Sequence, residues 1–246
     1  MCFSAEASFV TAGVLLPAGA YCVYSAIRKS PRSLLFALVP LAFGIQQACE
    51  GVVWLGLEHG EERQVERWSA IFLFFAVAFW PLWTPLSYSI AERRPGVRGL
   101  LALWTALSLV WLWLMAPILD DPGRWVRTEV IQHSIQYTVG EIPAFVVLPR
   151  LVWKGAYLVA ICLPLLVGRF EPAERPSGNL LAGGLVALLF AGSYLLFSYA
   201  FLSVWCFFAA LASLMLCVAF YRISPRESQT ITLGGEPTVP AGVRLR

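Results

Sequence analysis

Seven apolar stretches of the chain, each of about 20 residues, are long enough to cross the roughly 30 Å hydrocarbon core of a bilayer as a helix. Short segments that carry most of the charged residues separate them. We therefore predict an all-α integral membrane protein, a bundle of about seven transmembrane helices. The predicted spans are Ala7–Ile27, Ser33–Leu57, Trp68–Ile90, Val97–Ala116, Leu151–Val167, Asn179–Phe197 and Leu202–Tyr221.

The boundary between the last two spans is predicted from length, since no Pro or Gly marks it. As one helix, residues 180 to 221 would be about 63 Å long. That length is twice the hydrocarbon thickness. The chain is therefore predicted to reverse near Ser198 and Tyr199.

Residues 117–150, between the fourth and fifth spans, form the largest segment predicted outside the membrane. Ser134–Val139 alternates polar and apolar residues, a period of two that is typical of a strand. Gly140 follows as a turn signal, and Ala144–Leu148 is predicted as the return strand of a small outer hairpin. Residues 1–221 are predicted to form the transmembrane domain, and residues 222–246 a flexible cytoplasmic tail.

The composition supports a membrane protein over a soluble one. Hydrophobic residues make up 59% of the chain and charged residues 13%, whereas soluble domains carry about a quarter charged residues. We expect the lipid bilayer as partner, and no nucleic acid. The six cysteines contain no CxxC pair, so a zinc ribbon or a thioredoxin motif is not indicated. We also find no sequence typical of a cleavable signal peptide.

The distribution of Lys and Arg predicts the orientation. Seven spans place the two termini on opposite sides of the membrane. One set of loops carries twelve basic residues and the other carries six, so the first set is predicted to be cytoplasmic, with the N-terminus outside and the C-terminus inside. The outer side also carries ten acids, and such an excess raises the local concentration of cations.

A polar stripe in the second span is the main functional signal. Gln46 and Gln47 lie four and three residues before Glu50, so the three side chains share a helix face, which Trp54 continues. A carboxyl group about 10 Å below the outer surface is unfavourable unless it is paired, hydrated or protonated. The stripe is therefore predicted to face the bundle interior. The opposite face is expected to contact lipid (Phe43, Cys49, Val52, Val53).

Two interpretations of this stripe remain open. It is either a site for a ligand, proton or metal, or polar contacts that hold neighbouring helices together. As a ligand site it comprises Gln46, Gln47, Glu50 and Trp54, with His133 from the outer loop. As a metal site it comprises Cys2, Glu6, Glu50 and His133, residue types that suit zinc or copper. The same groups also suit a membrane enzyme that uses Glu50, His133 and Cys2 as acid–base or nucleophile–base pairs.

Two other spans carry recognisable patterns. In FWPLWTPLSY, residues 79–88, two prolines are expected to bend the third span, with Thr84 or Ser87 serving the freed carbonyls. Trp80, Trp83 and Tyr88 are predicted to anchor it at the lipid headgroups. The sixth span carries a face of small residues that predicts close helix contact, within the chain or in a homo-oligomer (Gly178, Ala182, Gly183, Gly184, Ala187, Ala191).

Four stretches, MCFSAEASFVTAGVLLPAG, IQQACEGVVWLGL, FWPLWTPLSY and HSIQY, resemble an uncharacterised family of bacterial membrane proteins with an MCFSA-type start. The resemblance implies a multi-helix protein of the bacterial inner membrane and implies no activity. From the residues we expect an outward-facing polar site around Glu50 that binds a cation, metal or small polar ligand for transport or sensing. The alternatives are the membrane enzyme and a structural subunit of a membrane complex.

Overall fold

The computed structural model describes residues 4–147, 149–169 and 176–222. Within them the chain forms ten α-helices and one two-stranded sheet. A π-helical segment, Phe74–Phe79, joins α3 to α4, and 3₁₀ turns occur at Pro31–Ser33 and Ser198–Ala200. The helices are α1 Ala5–Lys29, α2 Leu34–His59, α3 Glu62–Leu73, α4 Trp80–Ala91, α5 Pro95–Asp120, α6 Pro122–Trp125, α7 Pro143–Val147, α8 Arg150–Val167, α9 Pro176–Leu196 and α10 Phe201–Arg222; the strands are β1 Val126–Ile131 and β2 Ser134–Val139.

Five helical segments are long and apolar enough to cross a membrane. They are Ala5–Lys29, Pro31–His59, Glu62–Ala91, Pro95–Asp120 and Ser198–Arg222. Two shorter apolar helices, Val152–Val167 and Gly183–Leu196, lie where the fifth and sixth spans were predicted. The structure thus confirms a largely helical chain of membrane type. The predicted reversal near Ser198 and Tyr199 is also confirmed, since the 3₁₀ turn there separates α9 from α10.

The central helix of the bundle is α2. In its most apolar window 67% of the residues are buried, against 17% for α5 at the periphery. α2 packs antiparallel on α1, and Gly19 allows the closest approach: a Cβ there would lie 2.5 Å from the backbone nitrogen of Leu41. The expectation that Phe43, Cys49, Val52 and Val53 face lipid fails for three of the four, since Phe43, Cys49 and Val53 are buried. Val52 is half-buried, and Ile45, seven residues before it, is 45% exposed.

The first and last helices, α1 and α10, run in the same direction where they touch. The Sγ atoms of Cys22 and Cys217 lie 3.1 Å apart. Three residues further along both helices, Ser25 Oγ donates to the carbonyl of Phe220 over 3.1 Å. Because both residue numbers increase together, the two helices are parallel and their N-terminal ends lie on the same side of the bundle.

A cluster of polar contacts ties the loops together at the end of the bundle where α1 and α10 finish. Glu92, after α4, accepts from the guanidinium of Arg94 over 2.7 and 3.0 Å and from the backbone N–H of Arg169 over 3.1 Å. Arg94 also donates to the carbonyl of Val167 over 2.6 Å. Arg94, foremost through these hydrogen bonds, lowers the pKa of Glu92 to about 2. This ion pair joins the turn between α4 and α5 to the end of α8.

The sheet at the opposite end differs from the prediction. The strand at Ser134–Val139 is confirmed, but its partner is Val126–Ile131, and Ala144 lies in the short helix α7. Gln132 and His133 form the two-residue turn, with φ of 47° and 62°. Such turns, with positive φ at both positions, match the twist of a hairpin. The prediction of a return strand at Ala144–Leu148 is wrong because the hairpin closes on the preceding segment.

Candidate functional site

Glu50 lies on the central helix, fully enclosed by the bundle. It is nine residues before the end of α2 at His59, about 14 Å along the helix axis. That end is sharply defined, because Gly60 adopts a φ of 69° and ends the helix. Glu50, Gln46 and Gln47 each have 0% of their surface exposed, and Trp54 has 5%. The prediction that this stripe faces the interior is therefore confirmed.

The two glutamines form hydrogen bonds with different residues. Gln47 Nε2 donates to Oε2 of Glu50 over 3.4 Å, a long hydrogen bond within one turn of α2. Gln46 Oε1 accepts from Nε1 of Trp80 over 2.8 Å, which joins α2 to α4. The stripe thus forms one polar group with a contact to a second helix.

The π-helical segment before α4 positions Trp80. The wider turn alters the pairing of backbone carbonyls, and side chains from two other helices bind carbonyls in this segment. Tyr157 donates to Ala76 O over 2.8 Å, and Trp111 donates to Val77 O over 2.6 Å. The indole of Trp80 then stacks on Phe43 with ring centres 3.9 Å apart. Trp80 and Tyr88 are buried, so the prediction that they anchor at the headgroups is wrong. The carbonyls that Pro81 and Pro85 free, those of Val77 and Pro81, accept from Trp111 and Ser108, whereas Ser87 donates to the carbonyl of Trp83, which no proline frees.

The last helix supplies the other wall of the site. The hydroxyl of Ser203, near the start of α10, interacts with the Glu50 carboxyl group. One turn further along, the thiol of Cys206 faces both Gln46 and Glu50. Both α10 residues are buried. The site therefore lies between α2, α4 and α10, in the half of the bundle beneath the hairpin.

Four buried polar atoms of the stripe make no hydrogen bond of standard geometry within the described residues. They are two acceptors, Oε1 of Glu50 and Oε1 of Gln47, and two donors, Nε2 of Gln46 and Nε1 of Trp54. Buried polar groups are hydrogen-bonded in most proteins, so each exception calls for an explanation. Among the described residues, no Lys, Arg or His side chain pairs with Glu50 either. The stripe thus has hydrogen-bond donors and acceptors that its contacts leave unpaired.

The hairpin covers the nearby end of the bundle. Ile135 and Ser134 of β2 are fully buried, and the strand packs on α10. Tyr137 stacks on Phe72 of α3 with centroids 4.8 Å apart, and Thr128 donates to Ser69 over 3.0 Å. Beside these contacts is a cleft of about 300 Å³, whose lining includes Gly56, Glu62, Glu66, Arg127 and Glu129. Three Glu side chains and one Arg line this cleft, so its charge is net negative.

The remaining predicted site residues are not gathered around Glu50. His133 is exposed in the hairpin turn, and Glu6 is exposed on α1. Cys2 lies outside the described residues. In the described ranges no group of three or more His, Cys, Asp or Glu side chains is placed to hold a metal ion. The predicted zinc or copper set of Cys2, Glu6, Glu50 and His133 therefore has no support in the arrangement of its described members.

Three contributors were missing from the predicted site. Trp80 was assigned to the membrane surface, and Ser203 and Cys206 were not considered. Small polar residues inside an apolar helix are a weak signal, since they occur in helix packing generally. The contact between α2 and α10 joins residues more than 150 positions apart in the chain, and periodicity within one helix does not reveal such a pairing.

Comparison with known proteins supports the resemblance drawn from the motifs. Searches of curated proteins and of solved structures give no match. The model of the Family of unknown function (DUF6629) matches residues 1–230. Since that match covers nearly the whole sequence, including the polar stripe and the hairpin, the chain belongs to this family.

Proposed function

We propose that the protein binds a cation or small polar ligand at the buried polar stripe around Glu50, for transport or sensing. The observation that carries this proposal is the Glu50 carboxyl group: it is fully buried among apolar helices, and beside its interaction with the Ser203 hydroxyl its Oε1 makes no hydrogen bond of standard geometry among the described residues. Ionisable groups inside membrane bundles are rare and mark ion or substrate pathways. A purely structural contact would satisfy both oxygens.

The surroundings of the site support a ligand that enters from the hairpin end. Glu62, Glu66 and Glu129 line the cleft there, with Arg127 as a single opposing cation. A net negative cleft concentrates cations. From Gly56 in this lining to Glu50 the distance along α2 is about 9 Å. A small movement of the hairpin relative to α2 and α10 would connect the two.

Thermal unfolding of the purified protein in nanodiscs, with a panel of added ligands, tests the proposal. The panel contains sodium, potassium, magnesium, calcium, zinc, copper, ammonium and small zwitterionic amino acids. A ligand that binds only the folded state at 100 times its Kd stabilises it by about 2.7 kcal/mol. We expect at least one panel member to raise the Tm of the wild type and to have no effect on Glu50→Gln.

Glu58→Gln is the matched control, because Glu58 is on the same helix and is exposed. We expect this variant to keep the full ligand response. An equal response in Glu50→Gln and in the wild type would refute the site. If Glu50→Gln does not fold, Gln47→Leu tests the same stripe without removing the carboxyl group.

We also propose that the chain crosses the bacterial inner membrane seven times, with the N-terminus outside and the C-terminus in the cytoplasm. The five long and two shorter apolar helices support seven spans. The parallel contact of α1 with α10 supports an odd number, because parallel first and last spans start on the same side. The twelve-to-six distribution of basic residues supports the orientation. Labelling of the single-cysteine variants Glu129→Cys and Arg98→Cys with an impermeant maleimide in whole cells tests this orientation. It predicts that the cysteine at position 129 is labelled and the cysteine at position 98 is not.

The other two predicted functions have less support. A membrane enzyme needs His133 near Glu50, whereas His133 lies in an exposed turn and Glu50 has no exposed surface. A structural subunit or homo-oligomer would use the small residues of α9, of which Gly184, Ala187 and Ala191 are exposed and Gly183 packs on Leu166 of α8. Nothing in the structure favours either function over a ligand site.

A further inference from the structure

The packing around Glu50 restricts what can occupy the site in the conformation described. Glu50, Gln46 and Gln47 each have 0% of their surface accessible. A sphere the size of a water molecule therefore touches none of them, from the exterior or from an internal cavity. A water molecule needs at least its own volume of space and two or more polar partners. A metal ion or an organic ligand needs still more room, so either one requires the helices to move apart.

Within the Glu50–Gln47 pair two oxygens lack a donor, and the unpaired donors of the stripe, Gln46 Nε2 and Trp54 Nε1, make no hydrogen bond of standard geometry with them. Oε1 of Glu50 and Oε1 of Gln47 are both acceptors without a hydrogen bond in the described structure. Gln47 Nε2 already donates to the other oxygen of Glu50. A carboxylate accepts only, whereas a protonated carboxyl group gains one O–H donor. One proton on Glu50 thus supplies the missing donor, to the amide oxygen of Gln47 or to another acceptor in the cluster.

The charges around Glu50 are consistent with a neutral group. No Lys, Arg or His side chain of the described residues interacts with it. From α10 it faces the hydroxyl of Ser203 and the thiol of Cys206, and from α8 the phenol of Tyr157 lies next to Cys206. α1 carries Glu6, which is exposed, and α4 contributes the neutral indole of Trp80 through Gln46. A bare carboxylate here would be a buried charge that no Lys, Arg or His side chain of the described residues compensates.

We propose that the occupant of the site in this closed conformation is a proton, carried by Glu50 as a neutral carboxylic acid. When α2 and α10 separate at the hairpin end, Glu50 releases the proton to water, and the resulting carboxylate binds the cation or polar ligand. This inference rests on the proposed function and adds that ligand binding and proton release are coupled. For a monovalent cation the exchange is neutral, since one proton leaves Glu50 for each cation that binds; with a divalent cation or a neutral ligand the net charge of the site changes by one.

Infrared spectroscopy of the full-length protein in a maltoside detergent, which lacks the ester carbonyls of phospholipids, tests the inference directly. A protonated carboxyl group has a C=O stretch above the amide I band, whereas exposed Asp and Glu residues are ionised at neutral pH and do not contribute there. We expect the wild type to show this band at neutral pH, with a shift in D₂O. We expect Glu50→Gln to lack it and Glu58→Gln to keep it. A wild type without the band, or Glu50→Gln with it, would overturn the inference.

Two further measurements keep the test decisive. If Glu50→Gln does not fold, Glu50→Asp retains a carboxyl group, and we expect its band at a changed frequency; an unchanged frequency would assign the band to another residue. The panel cation that raises the Tm should also remove the band. If no ligand alters the Glu50 band, Glu50 stays protonated on ligand binding, and the exchange is refuted. A Glu50-dependent rise in Tm without any band refutes the proton and leaves the proposed function intact.

Discussion

The indole of Trp80 donates to the amide oxygen of Gln46 over 2.8 Å and so joins α4 to the central helix, one turn from Glu50. Both residues are almost completely buried. The hydrogen bond fixes which end of the Gln46 amide faces α4, and therefore leaves the Nε2 group directed to the rest of the site.

Trp80→Phe is expected to destabilise the protein and to weaken the ligand response. The substitution keeps an aromatic ring on Phe43 but leaves Gln46 Oε1 buried without a donor, at a cost of about 1–3 kcal/mol. The Tm in nanodiscs measures the stability, and the change in Tm with ligand measures the site. Trp113→Phe is the control, because Trp113 is 74% exposed on α5. Equal Tm values for the two variants would contradict a role for the hydrogen bond.

Gly19→Ala is expected to disrupt the contact between α1 and α2. A methyl group at this position would lie 2.5 Å from the backbone nitrogen of Leu41 and 2.7 Å from its Cα, and backbone cannot rotate away as a side chain can. Overpacking of this kind costs about 1–3 kcal/mol. At Gly13, on the same helix, an added Cβ meets no heavy atom of the described chain within 4 Å. We expect Gly13→Ala to leave the Tm almost unchanged, and a similar loss in both variants would refute the close approach.

Glu92 is expected to stabilise the end of the bundle opposite the hairpin until the pH is strongly acidic. Its pKa is lowered from 4.5 to about 2, foremost by hydrogen bonds from Arg94. A lowered folded-state pKa gives a contribution to the free energy of unfolding that is present above pH 4.5 and is lost as the pH falls towards 2. The Tm difference between wild type and Glu92→Gln should therefore be constant from neutral pH to about 4.5 and shrink below it.

Glu58→Gln serves again as the control for this titration, since Glu58 is exposed. Its Tm should follow that of the wild type over the whole pH range. Carboxyl groups with ordinary pKa values are still ionised between about pH 7 and pH 5. A difference in Tm between the wild type and Glu92→Gln that disappears in this range would contradict the ion pair with Arg94.

Cys22 and Cys217 are expected to form a disulfide on treatment with copper phenanthroline. Their Sγ atoms are 3.1 Å apart, so a small movement brings the two sulfur atoms to the bonding distance of a disulfide. Mass spectrometry of alkylated peptides should show both thiols protected after oxidation and both alkylated before it. Cys22→Ser should leave Cys217 free to react. Alkylation of both residues after oxidation would contradict the parallel contact of α1 with α10.

The sequence predicted the apolar helices and the polar stripe because both depend on local patterns in the chain. The length of apolar runs gives the helices, and the three- and four-residue spacing of Gln46, Gln47 and Glu50 gives their common face. It did not reveal that Phe43, Cys49 and Val53, away from the stripe, are also buried. Lipid tails are as apolar as a protein interior, so Phe43, Cys49 and Val53 have the same pattern whether they face lipid or another helix.

The partners of the stripe were hidden for a different reason. Trp80 reaches Gln46 through the π-helical segment Phe74–Phe79, whose extra residue per turn rotates the following helix. Aromatic residues beside prolines resemble a headgroup anchor equally well. The strand at Ser134–Val139 was given the wrong partner because the turn Gln132-His133 contains no glycine, although its backbone adopts the conformation that glycine favours in such turns.

The parallel contact between α1 and α10 also bears on the order in which the bundle is assembled. Cys22 and Cys217, and likewise Ser25 and Phe220, are 195 residues apart in the chain. α1 can pair with α2 as soon as both have been made, but its other face acquires its neighbour only after the last helix is inserted. The wall of the Glu50 site formed by Ser203 and Cys206 arrives with the same helix. Closure of the bundle and completion of the polar site are therefore one late event in synthesis.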